Sequence, residues 1–246
     1  MYFSIITPTF NSSRYIIKNI DSLNKQKFIN FEQIIIDNLS TDKTLEIIKK
    51  RANYKIRIFS KKDKGIYNAM NKGSVLARGK FLLFLNSDDW LEKNSLELVA
   101  NIILKNSNYH IYYGNSNFYN KKIFQFKHSS NIDKIFKTNS ISHQATYYKK
   151  DIFRKYKYNE KYKVGADYDF TIKLIKDKYK FFYINSVLSN NSLGGYSSNL
   201  QRSFNDFYTI QLRNNKTIIA YKNIILEYHY KLIYIFIKKI YEKLFN

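Results

Sequence analysis

The 246-residue sequence predicts an α/β fold: a mixed, mainly parallel central sheet flanked by helices. Three observations predict it. Over residues 2–85, short apolar runs alternate with stretches of helical periodicity across short polar links, the pattern of a doubly wound sheet. The run at 81–85, Phe-Leu-Leu-Phe-Leu, is unbroken, as in a strand covered by helices on both faces. Polar groups stand just past several strand ends, where open α/β sheets bind ligands.

The elements follow in order. Residues 2–7 are apolar and β-rich, and Pro8, the only proline, closes them as a strand. Asn11-Ser12-Ser13 offers caps for a helix running to about residue 25. Residues 31–36 form a second strand that ends in Asp37. A polar loop over 38–44, with Ser40 or Thr41 as cap, leads into a helix to residue 50, and 55–59 make a third strand. Apolar residues at 66, 69, 70, 76 and 77, bounded by Gly65 and Gly79, mark the next helix. The strand at 81–85 then runs into Asn86-Ser87-Asp88-Asp89. Further on, 109–113 and 121–127 have strand character, with a turn expected at Tyr119-Asn120. Asp167 opens a helical pattern through Phe170, Ile172, Leu174 and Ile175.

Thr7 to Thr9, Asp37 and the pair Asp88-Asp89 are therefore expected to face one cleft. An acid at the end of the second strand suits a ribose or base edge. The first turn has no Gly-x-Gly-x-x-Gly, so a phosphate cradle of backbone amides is not expected. A diphosphate bound here needs its charge offset otherwise, and hard carboxylate oxygens at Asp88-Asp89 suit Mg²⁺ or Mn²⁺. Adjacent aspartates are commonly plain turn residues. The buried strand before this pair favours a site.

The motifs resemble those of family 2 glycosyltransferases with the GT-A fold, in particular bacterial transferases that build surface polysaccharides. The resemblance begins with Ile5-Ile6-Thr7-Pro8-Thr9-Phe10-Asn11 and Ile35-Ile36-Asp37 followed by Ser40-Thr41-Asp42-Lys43-Thr44. It is most specific in Asp63-Lys64-Gly65-Ile66-Tyr67-Asn68-Ala69-Met70-Asn71-Lys72-Gly73 and in Leu85-Asn86-Ser87-Asp88-Asp89. His143-Gln144-Ala145 and Ala166-Asp167-Tyr168-Asp169 extend it. The order and spacing carry the signal, over roughly residues 3–196.

The resemblance implies roles. Thr7, Pro8 and Thr9 would lie against the nucleotide base. Asp37 would bond the base or ribose, and Asp63 would lie near both. Asp88 would face the nucleotide and Asp89 would bind Mn²⁺ or Mg²⁺ bridging the donor's phosphates. Asp167 would be the general base for the acceptor hydroxyl. Lys64, His143 and Arg202 are candidate donor or acceptor contacts. Three departures stand out: Asn38-Leu39 where relatives often carry two glycines, Ser87-Asp88-Asp89 for Asp-x-Asp, and Ala166 where a Glu is common. The implied activity is inverting transfer from a nucleoside-diphosphate sugar to a saccharide hydroxyl. The acceptor would be one linked to a lipid diphosphate.

The expected organisation is a glycosyltransferase domain over 1–214, with a nucleotide-sugar half to 110 and an acceptor half beyond, then a tail over 215–246. Leu193-Gly194-Gly195-Tyr196-Ser197 suits either a loop that closes over bound donor or a surface turn. In the tail, residues 217–244 interleave Ile, Leu, Tyr and Phe with Lys, as in amphipathic basic helices. Such helices rest on an anionic membrane, pack on the domain, or pack on a second copy in a homodimer.

Lys and Arg number 42 against 19 Asp and Glu, a formal charge of +23. Anionic partners or an ordinary lysine-rich surface both account for it. There is no cysteine, hence no disulfide framework or thiolate metal site. No apolar run reaches membrane-spanning length. A cytoplasmic protein, peripheral on the inner face of the membrane, is the expectation. A sugar nucleotidyltransferase would need a glycine-rich basic loop near the first strand, which Asn11-Ser12-Ser13-Arg14 is not. A nucleic-acid-binding module would account for the charge, but the aromatics are scattered without an RNA-binding signature, and nucleic acid is not an expected partner.

Overall fold

The computed structural model describes residues 1–120, 122–194, 200–215, 219–220 and 222–226. Its first half alternates β1 (Phe3–Thr9), α1 (Ile16–Asn24), β2 (Phe31–Asp37), α2 (Thr44–Arg51), β3 (Ile56–Ser60), α3 (Ile66–Leu76) and β4 (Phe81–Phe84). These strands pair in parallel in the order β3-β2-β1-β4. The second half adds β5 (Trp90–Leu91), α4 (Ser95–Lys105), β6 (Ile111–Asn120), β7 (Ile123–His128), β8 (Thr146–Lys149), α5 (Lys150–Lys155), α6 (Ala166–Lys176), β9 (Phe181–Ser192) and α7 (Leu200–Asn214). The sheet continues as β4-β8-β6-β9-β5, with β7 on β6. β8 runs antiparallel to both β4 and β6, whereas β6 and β9 are parallel.

Every residue of β1, β2 and β4 is buried, because helices cover both faces. Alternate side chains of β4 serve two cores. Leu82 and Phe84 pack with Ala69 and Met70 of α3, while Phe81 and Leu83 pack with Leu96, Val99, Ala100 and Ile103 of α4. Each Leu, Ile, Val, Phe or Met among them contributes about 1.5–3 kcal/mol by leaving water. Gly79 is fixed by close approach: a Cβ there would meet the Ser4 nitrogen at 2.4 Å.

Several boundaries differ from expectation. α1 begins at Ile16 and no side chain caps it, because Asn11-Ser12-Ser13 is used elsewhere. Asn11 Oδ1 accepts the Thr41 amide (2.9 Å), the Ser12 amide donates to Thr44 Oγ1 (2.7 Å), and the Ser13 amide donates to Asp42 Oδ2 (3.0 Å). The loops after β1 and β2 are thereby stitched together. Asp42, rather than Ser40 or Thr41, accepts the Thr44 amide at the start of α2 (3.0 Å). Tyr119 and Asn120 belong to β6 rather than to a turn. Leu39 adopts φ 56°, a left-handed conformation that glycine takes without penalty, at one of the positions where relatives often carry glycine.

Of the tail expected over 217–244, only 219–220 and 222–226 are described, and both stretches are helical. Here Ile224 joins the core beside Phe207 and Ile210, and Asn223 Nδ2 donates to Gln211 Oε1 at 3.0 Å. Residues 195–197 of the Gly-Gly loop and 227–244 of the tail lie outside the described residues. Among the described residues, no helix is long and apolar enough to cross a membrane.

Candidate active site

The loops after β1 and β4, the start of α3, the 3₁₀ turn His143–Ala145 and the end of β9 surround a cleft of about 460 Å³. One wall is the segment Asn86–Asp89. It is held from α1 by Asn19, whose Nδ2 donates to the carbonyls of Asn86 (2.9 Å) and Asp89 (3.0 Å). It is held from β9 by Ser192, whose amide donates to Asp89 Oδ1 (2.9 Å) and whose hydroxyl donates to the Asp88 carbonyl (2.7 Å). Gln144 Nε2 completes the grip on Asp89, donating to Oδ2 at 2.8 Å.

Burial pushes the Asp89 carboxyl up to about 7, reinforced by the negative charge of Asp88. Burial raises Asp88 as well. Two carboxyls that resist ionising side by side suit a cation between them and a diphosphate. Among the described residues, no cluster of three His, Cys, Asp or Glu surrounds them. Mg²⁺ or Mn²⁺ fits such a donor set, since these ions are commonly held by one or two carboxylates and completed by phosphate and water.

The opposite side is built on α6. Asp167 Oδ1 accepts from the Tyr67 hydroxyl (2.8 Å), and Oδ2 pairs with Nδ1 of His143 (3.1 Å). Burial pushes the Asp167 carboxyl up, but the hydrogen bond and charge of His143, with the Tyr67 bond, outweigh it and hold it below its ordinary value. Burial and the Asp167 charge keep the Tyr67 phenol well above its own, so it remains a donor. An ionised carboxylate only accepts, so in the neutral form of His143 the ring proton sits on Nδ1. Its Nε2 then presents a lone pair, and it is buried without a hydrogen-bond partner among the described residues. Asn86 Oδ1 is likewise unpartnered, and both residues line the cleft.

Of the residues expected at the site, Pro8, Asp88, Asp89 and His143 line the cleft. Asp167 does not, but both residues bonded to its carboxylate do. Asp37 is fully buried and accepts four hydrogen bonds, from the hydroxyls of Thr9, Ser40 and Ser60 and from the Ser40 amide. Thr7 is buried, accepting from Gln33 Nε2 at 2.8 Å. Asp63 accepts the Gly65 amide at 2.8 Å. Lys64 is exposed, and Arg202 is exposed on α7; neither lines the cleft. Sequence reasoning assigned no role to Tyr67, Gln144 or Ser192. Tyr67 and Gln144 stand inside motifs already recognised, whereas nothing around Ser192 marks it.

Residues 4–181 match the model of Glycosyl transferase family 2. A PGL/p-HBAD biosynthesis glycosyltransferase of Mycobacterium tuberculosis is 33% identical over 206 residues, covering 80% of each chain. The poly(ribitol-phosphate) beta-N-acetylglucosaminyltransferase TarS of Staphylococcus aureus is 38% identical over 108 residues, 42% of this chain and 19% of TarS. The structure of TarS 1–349 with UDP-GlcNAc superposes with a TM-score of 0.68 at 23% identity, over 85% of this chain and 65% of that one. The mannosyltransferase PcManGT of Pyrobaculum calidifontis, solved with GDP-Man and Mn²⁺, gives 0.66 at 15% identity, over 90% and 67%. These likenesses establish the GT-A-type architecture expected from the motifs. With the family model spanning most of the sequence, the chain belongs to glycosyl transferase family 2 and is a glycosyltransferase.

Proposed function

We propose that the protein transfers a sugar from a nucleoside-diphosphate sugar to a saccharide hydroxyl, inverting the anomeric carbon and using Mn²⁺ or Mg²⁺. One observation carries this reading: two consecutive residues of one turn hold both acidic centres. His143 bonds Asp167 and Gln144 bonds Asp89. A proton acceptor and a cation-type carboxylate are thus fixed relative to each other across a single cleft.

The chemistry follows from that spacing of roles. As the acceptor oxygen bonds to the anomeric carbon, the bond from that carbon to the diphosphate oxygen breaks, through an oxocarbenium-like transition state. The acceptor proton passes to the Asp167–His143 pair, at Nε2 of His143, and Asp167 stabilises the imidazolium that forms. The electron pair of the broken bond leaves on the diphosphate. When bound at Asp88 and Asp89, the cation supplies Lewis-acid stabilisation of that leaving charge. Direct attack with one base inverts the centre. Pro8 and Asp88 meet the nucleotide, while Thr7, Thr9, Asp37 and Asp63 set the loops that present them.

The proposed acceptor is a surface-polysaccharide precursor on a lipid diphosphate. The motif resemblance to bacterial surface-polysaccharide transferases and the basic, aromatic sequence of residues 227–246 support a peripheral place on an anionic membrane. UDP with Mn²⁺ is expected to raise the melting temperature above Mn²⁺ alone, a nucleoside triphosphate or an oligonucleotide. A panel of nucleotide sugars, UDP-GlcNAc first, then identifies the donor by release of nucleoside diphosphate. No stabilisation by any nucleoside diphosphate and no turnover across the panel would sink the proposal.

A further inference from the structure

We infer that Asp206, on α7, is a positioning residue for the transfer reaction, fastening the backbone that carries the Tyr67–Asp167–His143 group. The inference rests on the reading of Asp167 and His143 as the proton acceptor. One oxygen of Asp206, Oδ2, accepts three successive amides: Lys163 (2.7 Å), Val164 (2.6 Å) and Gly165 (3.0 Å). Successive N–H groups converging in this way form an anion-binding nest, and here the anion is the chain's own carboxylate. Asp206 is 9% exposed, so little water competes for it. Gly165 permits the approach, since a Cβ there would stand 3.1 Å from the Asp206 Cβ and 3.0 Å from Ile210 Cδ1.

The fastened segment leads directly to the reacting groups. The Tyr67 hydroxyl shares its one proton between the Val164 carbonyl and Asp167. Gly165 is the N-cap of α6, whose second residue is Asp167. Lys163 and Val164 themselves line the cleft. Asp206 lies beyond residue 181, where the family match ends, whereas the three amides it holds lie within it. α7 also docks independently of Asp206. Phe207 stacks on Tyr168 with centroids 5.9 Å apart, and Gln211 Nε2 donates to the Tyr168 hydroxyl at 2.7 Å. Removing the carboxylate should therefore release the loop while leaving the helix in place.

The test compares D206A, D206N and D206E with wild type and D167N, using the donor that the panel identifies, with UDP–Mn²⁺ as the binding probe. D206A is expected to lose about 100-fold in kcat, the cost of misplacing a catalytic group by about 1 Å, with UDP–Mn²⁺ affinity unchanged. D206N keeps an acceptor oxygen for the nest and should recover most of the rate. D206E, with its carboxylate displaced by one methylene, should share the kcat defect, and it carries the prediction if D206A does not fold. Wild-type kcat in D206A or D206E, or an equal loss of kcat and UDP affinity in both, overturns the inference. If D167N is inactive while the Asp206 variants keep full rate, this inference alone fails. An active D167N overturns both it and the assignment of the base.

Discussion

Replacing Asp167 by Asn tests the proposed chemistry at a single atom. The Asn side chain has the same shape, and its Oδ1 can still accept from Tyr67, now 2.8 Å from the carboxylate. The other position becomes an NH₂ facing Nδ1 of His143, at a site now 3.1 Å wide. Two donors cannot share that bond, so the imidazole must take the tautomer with its proton on Nε2. The atom proposed to receive the acceptor proton then already carries one. In the serine-protease triad the equivalent change lowers kcat by about 10⁴-fold through the wrong tautomer, about 5.4 kcal/mol of barrier. A loss of that order is expected here. Ionised Asp167 lies below its ordinary pKa, so its stabilisation is present above about pH 3.9 and is lost as pH falls through the folded value. D167N removes that pH-dependent contribution without emptying the site. The assay is nucleoside-diphosphate release under saturating donor and acceptor, with the UDP–Mn²⁺ thermal shift as a check on the fold. A D167N enzyme within about tenfold of wild type, with its UDP–Mn²⁺ shift intact, would refute the tautomer argument.

Three further outcomes are expected. D89N should abolish the Mn²⁺-dependent part of the UDP thermal shift and cost about 100-fold or more in kcat, leaving any metal-independent UDP binding in place. D37A strands three hydroxyls and one amide that now share a buried carboxylate; urea unfolding should show a loss of about 3 kcal/mol, whereas weakened nucleotide binding at unchanged stability would make Asp37 a direct contact instead. Deleting residues 227–246, which spares the packed Asn223 and Ile224, should abolish pelleting with anionic vesicles; pelleting by the truncated chain would place membrane attraction elsewhere.

The parts of the fold that the sequence announces are those where burial is two-sided. β1, β2 and β4 are unbroken apolar runs because both of their faces meet helices. The second half of β9 escapes a sequence reading because three of its buried residues are polar, although the strand opens on the apolar Phe181-Phe182-Tyr183-Ile184. Ser189, Asn190 and Asn191 are at most 2% exposed. They are held by Ser116, by Glu92 and by Ser142 rather than by apolar packing. A rule that looks for hydrophobic runs passes over such a strand. α4 does carry a helical period in Leu96, Val99, Ala100 and Ile103, but it opens at Ser95, separated from the Asp88-Asp89 loop by little more than the two-residue β5. Asp37 was correctly placed at the strand edge, yet nothing in its spacing reveals that Thr9, Ser40 and Ser60 already occupy it.

The link between the two acidic centres was not legible, and its cause is topological. In a purely parallel sheet, only residues after a strand reach the ligand-binding edge. β8 is reversed: Leu83 of β4 pairs with Tyr147 and Phe81 with Lys149, so the start of β8 lies at the end of β4. The turn His143–Ala145, which precedes β8, is therefore delivered beside Asn86–Asp89. Reversal at β8 also restores β6 and β9 to the direction of β4, which brings Phe118 and Ser192 to the same edge. A single antiparallel strand thus converts a one-sided nucleotide edge into a cleft with two walls. Gln144 and His143 can serve opposite walls only because they occupy the turn where that reversal begins. On this account, lengthening the turn by one residue should uncouple the Asp89 grip from the Asp167 pair. Catalysis would then fall further than UDP–Mn²⁺ binding, since binding needs one wall and transfer needs both.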